Sequence, residues 1–207
     1  MKKRILITSL LLIHFSSCDQ RSPGIFKVIV TDTTITHNKH NELDRGQSYS
    51  RLLNLPNISN GVDSFEMRIW YWGLVEGNLL VNLRFAKENW IASKTECFFT
   101  GYGFDKKLDS ANTKAIPVPK NTSSLVAYFT SDSILDLPSQ QAIPGFVDNI
   151  GDGQSCFIEI STKSFYKALD YHCPENFSDK YNRKFLEAVM LLNRDFSFYL
   201  PWCKPSY

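Results

Sequence analysis

The sequence predicts an α+β domain, a curved antiparallel sheet of about six to eight strands packed by one long C-terminal helix. Three observations predict it. Short runs between residues 61 and 172 alternate in the two-residue period of half-buried strands. The links between the first of these runs are too short for crossovers, so consecutive strands are antiparallel neighbours. Finally, "SDKYNRKFLEAVMLLNRDFSFYL" is the one segment with a sustained helical period, and its apolar stripe needs a sheet to cover.

Taken in order, the chain begins with a basic Met1-Lys2-Lys3-Arg4 and an apolar run from Ile5 to Ile13. That run is too short for a stable span, which needs roughly 20 residues. It closes on Ser16-Ser17-Cys18. This arrangement resembles the lipobox of bacterial lipoproteins, with Phe15 standing where that pattern prefers a smaller aliphatic residue. The resemblance implies that residues 1–17 are a signal peptide cut by signal peptidase II. It also implies that the Cys18 thiol carries a diacylglyceryl group, and several acyl chains on one cysteine make a lasting membrane anchor. Asp19 resembles an inner-membrane retention signal in some bacteria, while acidic residues near this position mark surface lipoproteins in others. Residues 18–60 read as a tether with one strand, "IFKVIVTDT", a polar loop, and a helical turn in "RLLNLPNIS" stopping at Pro56. Residues 61–207 read as the single α+β domain.

Within that domain, "SFEMRIWYW" sets Phe65, Met67, Ile69 and Tyr71 on one face and Glu66, Arg68, Trp70 and Trp72 on the other. "NLLVNLRF" follows after a turn from Gly73 to Gly77, and "KEN" turns into "WIASKTECFFTGY". A loop rich in Lys, Asp and Asn then leads to a strand, "SLVAYFT". "SDSILDLPSQ" reads as a capped helical turn ended by Pro138. "GFVDNIGDGQSCFIEIS" and "SFYKALDY" read as further strands. The helix spans about Ser178 to Tyr199, with Ser178 as cap and Tyr181, Phe185, Val189, Leu192 and Phe196 facing inward.

"FEMRIWYWG", "LPSQ", "DGQSCFIEI" and "FYKALDYHCPE", with the terminal helix, resemble a group of small bacterial lipoproteins that carry no assigned activity. The likeness covers about residues 62–200 and implies the fold class alone.

Removing residues 1–17 takes away Lys2, Lys3 and Arg4 and no acid. That leaves 20 basic against 21 acidic residues, a net charge of −1. No basic run remains for a phosphate backbone, so nucleic acid is excluded as an expected partner. Cys97, Cys156, Cys173 and Cys203 permit two disulfides in three connectivities, or remain free buried thiols. A Cys173–Cys203 bridge would have to reach along a helix of about 30 Å, which disfavours it.

Constellations with chemistry are few. His172 and Cys173 are adjacent on a strand and point to opposite faces, so they make a poor nucleophile–base pair. No nucleophile elbow or phosphate loop occurs. His37 and His40 offer half a zinc site at best. In "DNIGDGQSCFIE", Asp148, Asp152 and Glu159 fall at positions one, five and twelve of a calcium loop, but Ile150 occupies position three. The competing reading is a hairpin turn in which Gly151 and Gly153 supply positive φ.

No cofactor is expected, and no catalytic residues are identified. The expectation is a non-enzymatic module in the bacterial envelope, held by lipid on Cys18, that binds a glycan or an envelope protein. Its alternatives are a structural or assembly lipoprotein and a hydrolase of envelope polymers. Trp70, Trp72, Trp90 and Arg68 form the expected ligand platform, where rings on a half-open face stack on a sugar. The competing reading, which the usual burial of Trp favours, is a sheet curled enough to bury both faces, with Trp70 and Trp72 packed in a core or beneath the N-terminal segment.

Overall fold

The computed structural model describes residues 26–29, 42–73, 78–100, 107–151 and 153–197. Cys18, His37, His40, Asp152 and Cys203 lie outside these residues. Strand β1 is Lys27–Ile29 and helix α1 is Glu42–Leu52. Strands β2 (Phe65–Trp72), β3 (Asn78–Ala86), β4 (Asn89–Thr100) and β5 (Lys107–Ile116) follow. Helices α2 (Thr122–Phe129) and α3 (Asp132–Leu135), strands β6 (Ser155–Thr162) and β7 (Phe165–His172) and helix α4 (Lys180–Asp195) complete the chain. The architecture is α+β, with one seven-stranded sheet in the order β1-β7-β6-β2-β3-β4-β5. Among the described residues, no helix is long and apolar enough to cross a membrane.

The sheet is mixed, because β1 runs parallel to β7 while every other pair is antiparallel. β1 is only three residues long and arrives from far away in sequence, so no hairpin dictates its direction.

Both faces of the sheet are covered. On one face Met67, Ile69, Ile158, Ile160 and Leu169 pack against Leu125 and Phe129 of α2, Ile134 of α3, and Phe185, Val189 and Leu192 of α4. The buried positions of α4 recur every three or four residues, which is why this helix lies flat on the sheet. Tyr171 stacks on Phe185 with ring centroids 3.9 Å apart. On the other face a smaller cluster of Ile58, Trp70, Leu80, Phe157, Tyr166 and Ala168 lies beneath Tyr49 of α1 and Leu53 and Leu55 after it.

"LPSQ" is the clasp on the first face. Leu137 O accepts from Lys167 Nζ (2.7 Å), Pro138 O from Tyr171 Oη (2.6 Å) and Ser139 Oγ from Asp170 N (2.9 Å). Gln140 donates from Nε2 to His172 O (2.9 Å) and Asn182 Oδ1 (2.6 Å) and accepts from His172 N (2.8 Å). These bonds join the segment after α3 to the end of β7 and the start of α4.

Several expectations are corrected. "SLVAYFT" lies in helix α2, not a strand. Its β-branched and aromatic residues mimic a strand, but Thr122, Leu125 and Phe129 fall on one helical side and are buried there. The polar stretch before it contains β5, an edge strand exposed along most of its length. The ladder to β4 holds it, and Lys107 and Lys114 guard its free edge. Residues 42–60 are no tether, since α1 and Ile58 belong to the core. α4 is 16 residues long, and Asp179 rather than Ser178 caps it, accepting from Tyr181 N (2.9 Å) and Asn182 N (3.0 Å). A helix of this length, about 24 Å, weakens the distance argument against Cys173–Cys203. Cys173 is disulfide-bonded, with a partner outside the described residues, whereas Cys97 and Cys156 are free and buried. Desolvation pushes the Cys97 thiol up to about 11.

Candidate functional site

The face beneath α1 gathers charge where a sheet ordinarily holds only apolar groups. β2 is central, so Glu66, Arg68 and Trp70 have partners on both sides: Arg68 stands opposite Glu159 of β6 and Asn82 of β3, and Trp70 opposite Phe157 and Leu80. Arg68 and Glu159 are each 1% exposed. Such burial is tolerated only when every charge is met.

The contacts meet it. Arg68 donates from Nε (2.8 Å) and Nη2 (2.7 Å) to Glu66 Oε1, and from Nη1 to Ser50 Oγ of α1 (2.8 Å). Asn82 Nδ2 adds a third donor to Glu66 Oε1 (3.1 Å). Glu159 accepts from Trp70 Nε1 on Oε2 (2.8 Å) and from Tyr166 Oη on Oε1 (2.8 Å). Burial raises the Glu159 pKa above the ordinary carboxylate value, while Arg68 and the Trp70 and Tyr166 donors oppose the rise. Both oxygens accept from side chains of the fold, and the carboxyl is 1% exposed, so it ties β2, β6 and β7 together from within.

α1 closes the site through small and aromatic residues. A Cβ on Gly46 would land on Glu159 Oε1 and 2.8 Å from Tyr166 Oη, so only glycine lets the helix sit this close. Tyr49 packs against Trp70 and Trp72 with centroids 5.2 and 4.4 Å away, and Arg45 pairs with Asp170 at the flank. Trp72 Nε1 and Asn82 Oδ1 are buried and have no hydrogen-bond partner among the described residues.

The expected platform is therefore corrected in two respects. Trp70 is 1% exposed and Trp72 half-buried, both under α1, so the face is not half-open. Trp90 is on the opposite face, against Phe65 and Phe85 with centroids 5.6 and 5.1 Å away, and shares no surface with Trp70. Arg68 is brought to Trp70 as read from the strand period, but as an internal ion-pair partner.

The calcium reading also separates. Glu159 is committed to Trp70 and Tyr166, whereas Asp148 accepts from Ile150 N (3.2 Å) and lies 3.4 Å from His172 Nδ1. Residues 146–151 form no strand, and Gly151 does not adopt positive φ. Among the described residues, no group of three or more His, Cys, Asp or Glu side chains gathers to hold a metal.

Beside the cluster the surface opens. Two adjoining clefts of about 440 Å³ each share Val62, Asp63 and Glu66. Asn57, Asn60 and Lys163 border the first, and Arg84, Lys87 and Glu88 the second. Ser50, Tyr166 and the Gly46 approach escape a reading by strand period, because they come from elements distant in sequence. A glycine inside a helical stretch was their only local signal.

No protein-family model matches this chain, and neither a curated protein nor a solved structure matches it.

Proposed function

We propose that the protein is a lipid-anchored module of the bacterial envelope that binds a ligand or partner without catalysing a reaction. The observation that carries this reading is the stretch from Met1 to Cys18, a basic start and a short apolar run ending on Ser16-Ser17-Cys18. In the buried cluster Arg68 and Glu159 are engaged by other side chains of the fold, which fits a structural role for these two. The protein's capacity to bind is supported by the clefts beside Glu66, each within the roughly 300–1,000 Å³ of small-molecule sites.

Intact-mass measurement of the protein from bacterial membranes tests the anchor. The mature chain is expected to begin at Cys18 and carry acyl groups, and Cys18→Ala to leave an uncut, unacylated precursor. A mature wild-type chain without acyl groups would overturn the reading.

A further inference from the structure

Of the three charged side chains in the buried cluster, only Glu66 borders open space. It is 9% exposed and lines both clefts, whereas Arg68 and Glu159 line neither. Its Oε1 is saturated by Arg68 and Asn82, but its Oε2 accepts no hydrogen bond from any described residue. That oxygen faces the open clefts, where it is an acceptor available to a ligand donor. Arg68 and the strand hold it in place, so it is a fixed acceptor at the floor of the trough.

The walls add unused groups of both kinds. No side-chain hydrogen bond or ion pair engages Asn60, Asp63, Lys163 or Arg84 among the described residues. Asp63 accepts, Lys163 and Arg84 donate, and the Asn60 amide does both. A free phosphate would be repelled by Asp63 and Glu66, and a simple cation by Lys163 and Arg84. Hydroxyl groups, which donate and accept at once, suit such a mixture. Val62 and Phe85 give the walls apolar stretches that suit the C–H faces of a sugar ring.

We infer that the trough beside Glu66 binds a hydroxyl-rich carbohydrate, with Glu66 Oε2 accepting from a ring hydroxyl and Asn60, Asp63 and Lys163 holding its neighbours. This rests on the binding-module reading above and names its ligand class.

The test titrates the ¹⁵N-labelled mature chain with cello-, xylo-, malto- and chito-oligosaccharides. At least one sugar is expected to shift the backbone amides of Asn60, Gly61 and Asp63 and the side-chain amide of Asn60. Asn60→Ala and Lys163→Ala, both on the exposed rim, should each weaken binding about tenfold at an unchanged melting temperature. Glu66→Gln should do the same, but it alters the buried cluster, so the rim variants decide. Silence with every sugar, or binding indifferent to both rim variants, would overturn the assignment. Shifts centred on Trp70 and Tyr49 would overturn the trough and leave the binding module standing. An unacylated mature chain that still binds sugar here would do the reverse, refuting the anchor and keeping the site.

Discussion

Glu159 shows how one residue's surroundings set its role. In the sequence it is a carboxylate within a strand; in the fold it is sealed between an indole N–H and a phenol. Desolvation outweighs the donors and Arg68, so its folded pKa lies above the unfolded value of about 4.5. A group shifted this way contributes stability that is present below the unfolded pKa and is lost as pH rises through the folded one. Replacing Glu159 by Gln removes that dependence. The stability of wild type minus that of Glu159→Gln, from denaturant unfolding between about pH 4 and pH 8, should therefore fall as pH rises. Asp179 does not confuse the comparison. Burial pushes its pKa up, but the bonds from Asn182 and Tyr181 outweigh this and hold it below the usual value, equally in both proteins. Parallel stability curves for the two proteins would contradict this account.

At the scale of the element, α1 is the least conventional piece. It covers a charged face with a glycine, a serine and a tyrosine where most covering helices use leucine. By propensity alone, Gly46→Ala gains about 1 kcal/mol. The added Cβ, however, meets a carboxylate that Trp70 and Tyr166 pin from both sides, and overpacking of that kind costs about 1–3 kcal/mol. Gly46→Val adds more bulk at the same point and removes the propensity gain. Thermal unfolding should therefore show Gly46→Val destabilised by about 2 kcal/mol or more. A variant as stable as wild type would mean that α1 does not rest on Glu159.

For the whole molecule, the two covers of the sheet predict where the domain begins. β1 is three residues long with Lys27 and Val28 exposed, so losing it uncovers little. A chain starting near residue 41 should keep cooperative unfolding. One starting at residue 62 loses α1, Leu53, Leu55 and Ile58, baring Trp70 and Phe157. It should show red-shifted tryptophan fluorescence and bind a hydrophobic dye, as a domain with an opened core does. If both truncations unfold alike, the second core is not a separate layer of stability.

Local periodicity was enough for much of this fold. Alternation in β2 and β7 and the 3.6-residue stripe of α4 are properties of a few consecutive residues, and each element formed within its pattern, whereas β6 took only Ser155–Thr162 of the longer strand expected there. The lipobox-like stretch is equally local, being an address written in consecutive residues. β5 was illegible because its neighbour's ladder, and not its own side chains, makes it a strand. α2 was misread because eight residues rich in aromatic and branched side chains suit either period. Trp70 and Arg68 were rightly placed on one face, but whether that face met water depended on α1, which precedes β2 by a stretch with no periodic signal. Trp90 could join them only if the strands stacked in phase, and the register sent it to the other side. The site beside Glu66 belongs to the same class. A buried carboxylate with one clamped and one open oxygen is a relation among β2, β3 and the 56–63 loop, and such relations exist only once the chain has closed.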